Sequence, residues 1–378
     1  MSRFLNHFKT GTTICFGLMF CLFSFCLSAN EYLKGEFLLW KIKDSPAPIV
    51  LITQGDEAVL GDERIDHSWR PGGKVSYGSD SICSCFDGYV EVVYGYYGHH
   101  IYKKRVAANG LPGSVDLILP YYDVSIPGEN SETITVNTGP SPYSGEASLK
   151  VNNRLQGAEL NAVFPFACAA IPTHFIFGFR YLNYREDLTF RTSTPFLDQP
   201  SSVFMTQDKF DIRNHFYGLQ IGFDLNYHYC AFEMDLTAKT AVGAMSKTAK
   251  INGYTDTNEY AGQTSVERFE GGYFALPTNI GTHHKTVLSS VSELNFSLGY
   301  EMTSCLNVMV GYGFIYATDI TWATKVPDRV INTTQVLGFQ FAEFVPPAVL
   351  VGEAAPKAKL KSDSFWAHGL NIGIKMAF

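Results

Sequence analysis

The chain has 378 residues with 29 Lys plus Arg against 36 Asp plus Glu, a formal net charge of −7, 14% aromatics and 33 glycines. That acidic balance disfavours nucleic-acid binding, because phosphate recognition needs a basic footprint. No stretch holds a 3.6-residue apolar period, which argues against a helical bundle and for many strands and turns.

Residues 1–29 have the three regions of a secretory signal peptide: Arg3 and Lys9, an apolar run from Ile14 to Leu27, then the small residues Ser28 and Ala29. Cleavage after Ala29 is expected, since the apolar run is shorter than the roughly 20 residues that span a bilayer as a helix. Cys21 and Cys26 each follow phenylalanine, so no lipoprotein-type cysteine is present. Residues 30–378 then read as one domain, in which ten segments alternate apolar and polar residues. They are 32–43, 73–81, 88–97, 147–164, 174–190, 213–229, 232–245, 287–302, 306–322 and 365–378.

Alternation is clear in the sixth segment, with Tyr217, Leu219, Ile221, Phe223 and Leu225 opposed to Gln220, Gly222, Asp224 and Asn226. In the eighth, Leu294, Phe296, Leu298 and Tyr300 oppose Glu293, Asn295, Ser297 and Glu301. The ninth sets Leu306, Val308, Val310, Tyr312, Phe314, Tyr316, Ile320 and Trp322 against Asn307, Gly311, Gly313, Ala317 and Asp319. The last has Leu370, Ile372, Ile374, Met376 and the terminal Phe378 on one face. In the fifth, apolar residues sit at odd positions to Tyr181 and at even ones from Leu182, which predicts a bulge or an exit from the membrane.

The fold class expected is all-β, a transmembrane antiparallel β-barrel of about ten strands, or twelve if the long loops hide two more hairpins. Long connections (44–72, 98–146, 191–212, 246–285 and 323–364) alternate with short ones, placing five long loops outside and both chain ends in the periplasm. Trp40, Trp322 and Trp366 at the loop ends and Tyr227, Tyr229, Tyr300 and Phe378 at the turn ends are expected to form two aromatic girdles.

Several strings, in this order, are similar to one known family. They are Leu38-Leu39-Trp40, Arg154-Leu155-Gln156-Gly157-Ala158-Glu159-Leu160-Asn161, Gly178-Phe179-Arg180-Tyr181-Leu182 with Glu186-Asp187-Leu188, and Arg213-Asn214-His215-Phe216-Tyr217-Gly218. Pro277-Thr278-Asn279-Ile280-Gly281, Leu298-Gly299-Tyr300, Val310-Gly311-Tyr312 and Phe365-Trp366-Ala367-His368-Gly369-Leu370-Asn371 follow. The chain resembles the beta-barrel porin seven family, and the resemblance implies an outer-membrane barrel carrying the name porin. Tyr316-Ala317-Thr318 departs from the tryptophan-containing strand end expected there.

No catalytic constellation, cofactor site or metal-ligand spacing is evident, and no enzyme is expected. Asp62, Glu63, Asp66 and His67 read as a solvated acidic loop, while the adjacent pairs His99-His100 and His283-His284 diverge on extended backbone. The inward faces assign Glu91, Glu159, Asp224, Glu233, Asp235, Glu293, Glu301 and Asp319 to the lumen with Arg180, Lys239 and Lys375, an acidic lining. Water there would favour cations, giving a porin or narrow passive channel. In a closed barrel the same charges must pair, leaving a surface-exposed structural or adhesive barrel acting through its loops.

The partners expected are outer-membrane lipid, the barrel-insertion machinery, for which Phe378 is the assembly signal, and disulfide-linked envelope proteins. The last expectation comes from Cys83, Cys85, Cys168, Cys230 and Cys305, all of which fall in or beside short turns on the oxidising periplasmic side.

Overall fold

A computed structural model describes residues 31–80, 87–137, 143–166, 172–195, 202–258, 265–336 and 349–378. The signal segment 1–29 and Cys83, Cys85 and Cys168 lie outside the described residues. In chain order the strands are β1 (Glu31–Ile42), β2 (Ile52–Gln54), β3 (Glu57–Leu60), β4 (Arg70–Ser79), β5 (Tyr89–Ala108), β6 (Leu117–Asp123), β7 (Gly128–Thr133) and β8 (Gly145–Phe166). They continue with β9 (Thr173–Ser193), β10 (Phe204–Tyr229), β11 (Phe232–Thr257), β12 (Glu267–Glu270), β13 (Gly281–Thr303), β14 (Leu306–Ile320), β15 (Val330–Ile331) and β16 (Asp363–Ala377).

Ten of these pair antiparallel in the order β10-β9-β8-β5-β4-β1-β16-β14-β13-β11, and β10 pairs with β11 to close the ring. The barrel therefore has ten strands, not twelve. Within the long loops the hydrogen-bonding capacity is used differently: β2, β3, β6, β7 and β15, drawn from three loops, form one small sheet at the long-loop end. Both described chain ends meet at the opposite, short-turn end, where the Phe378 amide donates to the Glu31 carbonyl at 2.8 Å.

The wall extends further than the alternation indicated. β5 runs on to Ala108, β9 to Ser193 and β11 to Thr257, while β10 starts at Phe204 and β13 at Gly281, so the connections taken as 98–146, 191–212 and 246–285 are partly strand. The reason lies in which face is apolar. Near the short-turn end, Phe177, Phe179, Leu219, Ile221, Phe223, Leu294, Phe296, Ile372 and Ile374 face outward and are exposed, a band suited to lipid. Beyond it the pattern inverts: Leu149, Val151, Leu188, Phe190, Phe210, Ile212, Ala249 and Ile251 point inward and are buried.

β9 shows the switch within one strand. Its pairing with β8 and β10 continues without a shift, so no bulge explains the change of apolar parity at Leu182. Even-numbered residues face inward throughout; below Tyr181 the apolar residues face lipid, and above it they fill the interior. Of the two alternatives, the bulge is excluded, and the apolar side chains change from the outer to the inner face at Leu182.

Two aromatic assignments are corrected. A bulge between Ala317 and Ile320, with Asp319 at φ 60°, turns Ile320 and Trp322 inward, where both are buried. A one-residue slip of register carries every later side chain to the other face. Trp40 shares the inward row of β1 with Glu36, Leu38 and Ile42 and donates its Nε1–H to Asn371 Oδ1 at 2.7 Å, so it belongs to the interior and not to a girdle. Trp366 does face outward, beside His368, whose ring also meets Trp69.

Candidate functional site

The barrel interior is layered. At the short-turn end lies a vestibule of about 380 Å3, lined among others by Tyr32, Lys34, Glu91, His174, Asp224, Asp235 and Lys375. Glu91 accepts from the Tyr32 hydroxyl at 2.5 Å and from Asn161 at 2.9 Å, and Asp224 accepts from Thr237 at 2.7 Å. Glu233 sits 3.4 Å from Lys375, and Ser297 donates to Asp235 at 3.2 Å.

Above the vestibule an ionic belt crosses the lumen. Three carboxylates, Glu36, Glu159 and Glu293, meet three bases, Lys74, Arg180 and Lys239. Lys239 is 2.7 Å from Glu159 and 3.8 Å from Glu293; Lys74 is 3.7 Å from Glu293 and 3.9 Å from Glu36; Arg180 is 3.7 Å from Glu159 and directly bonded to Glu293. Strand register builds this, since Glu159 stands opposite Arg180 and Lys239 opposite Glu293. Gln220 adds a hydrogen bond to Glu159 at 3.0 Å. Charges buried this deeply persist only when paired and hydrogen-bonded.

A first apolar layer seals the lumen over the belt: Trp40, Leu155, Leu182, Tyr184, Phe216, Met245, Trp322 and Phe365, all buried. Tyr184, Trp322 and Phe365 form a ring cluster with centroids 4.8 to 5.9 Å apart. Next comes a polar layer that ties incoming loop segments to the wall. Asn214 grips Thr321 reciprocally, donating to its carbonyl at 3.0 Å and accepting from its amide at 2.9 Å, and Glu186 accepts from the Ala323 amide at 2.6 Å. His67 Nε2 lies 2.7 Å from Ser45 Oγ, and that hydroxyl donates to Glu186. Burial pushes the His67 imidazole down to about 3, with Arg70 and His100 adding to the effect.

The outermost layer is the largest apolar cluster, in which the loop sheet (Leu51, Ile52, Leu60, Leu117, Leu119, Ile331) packs on the upper wall. A further segment, Tyr273 to Leu276, folds into the mouth and is buried. Asp208 holds it by accepting from the amides of Tyr273, Phe274 and Ala275 at 3.2, 2.9 and 2.7 Å. Asn279 closes the same turn onto Leu276 and Phe274.

Of the lumen residues read from the sequence, Glu159, Arg180, Lys239 and Glu293 come together in the belt, and Glu91, Asp224, Asp235, Glu233 and Lys375 border the vestibule or its mouth. Glu301 is exposed at the short-turn rim, and half-buried Asp319 sits at the bulge of β14, away from the belt. Alternation alone missed the base Lys74, since β4 (RPGGKVSYGS) has too few apolar residues to reveal its faces. Asp62, Glu63, Asp66 and His67 are dispersed: Glu63 pairs with Lys104, Asp66 with Lys41, and His67 is buried. No group of metal-ligating side chains occurs among the described residues. His99 and His100 do diverge, His100 alone reaching His67 at 3.4 Å. Cys230 and Cys305 are exposed, unpaired thiols at the short-turn end.

Residues 43–378 match the family model described as "Putative beta barrel porin-7 (BBP7)". The chain belongs to that family. The strings on which its porin-seven resemblance rests supply Glu159 and Arg180 to the belt and Glu186, Asn214 and Asn279 to the closure above it. No curated protein matches the chain. Among solved structures, the outer membrane protease OmpT from Escherichia coli aligns with 10% identity over 93% of this chain and 99% of that one, at a TM-score of 0.39. The outer-membrane expressed OmpT of Vibrio cholerae (11% identity, 93% and 97% covered) and the Ralstonia pickettii toluene transporter TbuX (6%, 93% and 90%) each score 0.14. Scores this low leave the barrel to be argued from its own strand pairing and from the family match.

Proposed function

We propose that this family member is a closed outer-membrane barrel that acts at the cell surface through its composite loop sheet, as a structural or adhesive element, and not as a permanently open porin. The observation carrying this reading is the continuous buried apolar cluster that joins the loop sheet, the 273–276 segment and the upper wall across the mouth. The belt of three acids and three bases supports it from below, because a water-filled passage would not need charges so fully compensated. A barrel near the eight-strand size, whose interior side chains can just fill, closes in this way more readily than one of 16 to 18 strands.

The non-enzymatic expectation is kept within this reading. Ser45, His67 and Glu186 form a contact chain with nucleophile-like chemistry, yet all are fully buried and the Ser45 hydroxyl is spent as a donor to Glu186. Substrate access, on which nucleophilic catalysis depends, is absent around it among the described residues.

Planar-bilayer recording of the refolded protein tests the proposal. Wild type should show no sustained conductance, and a variant lacking residues 271–280 should also stay closed, held by the belt and by the apolar layer of Trp40, Leu182, Tyr184 and Trp322 above it. Steady, cation-selective conductance from wild type would instead establish the narrow-channel reading, for which the acid-rich vestibule is the feature in favour. Phe378 remains the proposed insertion signal; its deletion should reduce the folded, heat-modifiable fraction. The exposed Cys230 and Cys305 stand where envelope partners can reach them, and non-reducing gels with thiols blocked at lysis test for such links.

A further inference from the structure

The outer wall just above the lipid-facing band is strongly uneven in charge. On β8, β9 and β10 the register sets Arg154 opposite Arg185 and Arg185 opposite Arg213, and two rows higher Lys103 of β5 stands opposite Lys150 of β8. Like charges directly opposite on neighbouring strands are destabilising. One carboxylate, Asp211, answers two of the arginines, at 2.8 Å from Arg185 and 3.2 Å from Arg213. Asp187, the other acid in these rows, accepts from Asn152 at 3.0 Å. On a chain of net charge −7 this is a local basic surplus, and a depression of about 160 Å3 opens between Arg154 and Arg185.

Position says what would neutralise it. Immediately below the arginine row, Tyr181, His215 and Tyr217 form an outward aromatic cluster with centroids 5.2 to 6.4 Å apart, the kind that marks a membrane interface. Below these come Phe177, Phe179, Leu219 and Ile221, exposed to lipid. An amphiphile with acyl chains on those residues carries its headgroup at the height of the arginines. Guanidinium groups match phosphate oxygens in planar, two-point contacts.

We propose that the wall of β5, β8, β9 and β10 is a docking surface for a phosphorylated glycolipid of the outer leaflet, with headgroup phosphate on the Arg154, Arg185 and Arg213 row and further anionic groups on Lys103 and Lys150. The contact lies outside the barrel, so it stands whether or not the lumen is closed.

Native mass spectrometry of the folded chain in detergent, titrated with bis-phosphorylated lipid A, tests this. Wild type should retain the lipid, and a triple Lys103→Gln, Lys150→Gln, Arg154→Gln variant should bind it on the order of tenfold more weakly, as expected for losing several charge-assisted contacts. Dephosphorylated lipid A should bind wild type as weakly as the variant binds the phosphorylated form. Lys41→Gln, on β1 and outside these four strands, should bind like wild type, and heat-modifiable migration checks that every variant is folded. Equal retention of the two lipids, equal binding by the triple variant, or an equal loss in Lys41→Gln would overturn the proposal. So would displacement of the lipid by millimolar inorganic phosphate, which would indicate a small-anion site.

Discussion

The lower and upper halves of this barrel use the same strands in opposite ways. Below Tyr181 and Tyr217, apolar side chains face out to lipid and the inside is polar, with the belt of Glu36, Glu159, Glu293, Lys74, Arg180 and Lys239 across it. Above them, Arg185, Asp187, Thr189 and Arg191 face out while Leu188, Phe190 and Phe210 fill the inside, as in a soluble β-domain. The surrounding solvent decides which face is apolar, and the backbone ladder is indifferent to it. Stability should therefore rest on different terms in the two halves, ion pairing below and apolar packing above.

Substitution of one belt residue tests the lower half most severely. Arg180→Met keeps the volume but removes the cation that bridges Glu159 and Glu293, leaving buried carboxylates undercompensated. A loss of about 3–5 kcal/mol is expected for breaking a buried pair from one side. Urea unfolding in detergent, followed by tryptophan fluorescence, gives the readout; a change under about 1 kcal/mol would mean the belt is hydrated and the lumen wet. In the upper half, Phe210→Ala should cost a similar ~3–5 kcal/mol through a cavity. Its effect should appear first as faster proteolysis of the loop sheet, because Phe210 packs on that layer and not on the lipid band. Uniform loosening of both halves would remove the distinction.

The sharpest comparison sets one substitution on the same outer surface at two heights. Leu298→Arg, on the lipid band, should cost about 2–4 kcal/mol near the midplane. Ser193→Arg, outward on upper β9 opposite Glu146 and Met205, should stay within about 0.5 kcal/mol of wild type. Equal costs at the two sites would contradict the boundary at Tyr181.

Much of this was legible in the chain, and the part that was not has physical reasons. Period-two alternation gave ten strands, the lipid face of β10, β13 and β16, and the inward placement of Glu159, Arg180, Lys239 and Glu293. Alternation reports which residues share a face, but it does not report what fills the space that face encloses. The parity switch in β9 held the missing information, since apolar residues turning inward at Leu182 mean an interior without water from there upward. Trp322 was misplaced because one extra residue at the β14 bulge reverses its face, and the aspartate at 319, of a type enriched among positive-φ residues, was the only local sign. Lys74 was missed on a glycine-rich strand that carries too little apolar pattern to read.

A change of pH should also separate the two halves. His67 is buried in the upper interior between Ser45, Asn153 and His100, with Arg70 close by, and these surroundings hold its imidazole neutral down to about 3. In the unfolded chain the same group takes a proton near 6.5. Between these values the unfolded state binds more protons than the folded one, so stability is full above pH 6.5 and falls as the pH drops towards 3. At pH 5 the loss from this group alone is about 2 kcal/mol. It should register as increased protease sensitivity of the loop sheet at pH 5 relative to pH 7.5, with the heat-modifiable barrel retained, because His67 holds the loop segment around Ser45 and not the lipid band. His67→Gln cannot take up the proton and should flatten that difference. If the variant keeps the wild-type pH dependence, His67 is not the group that sets it.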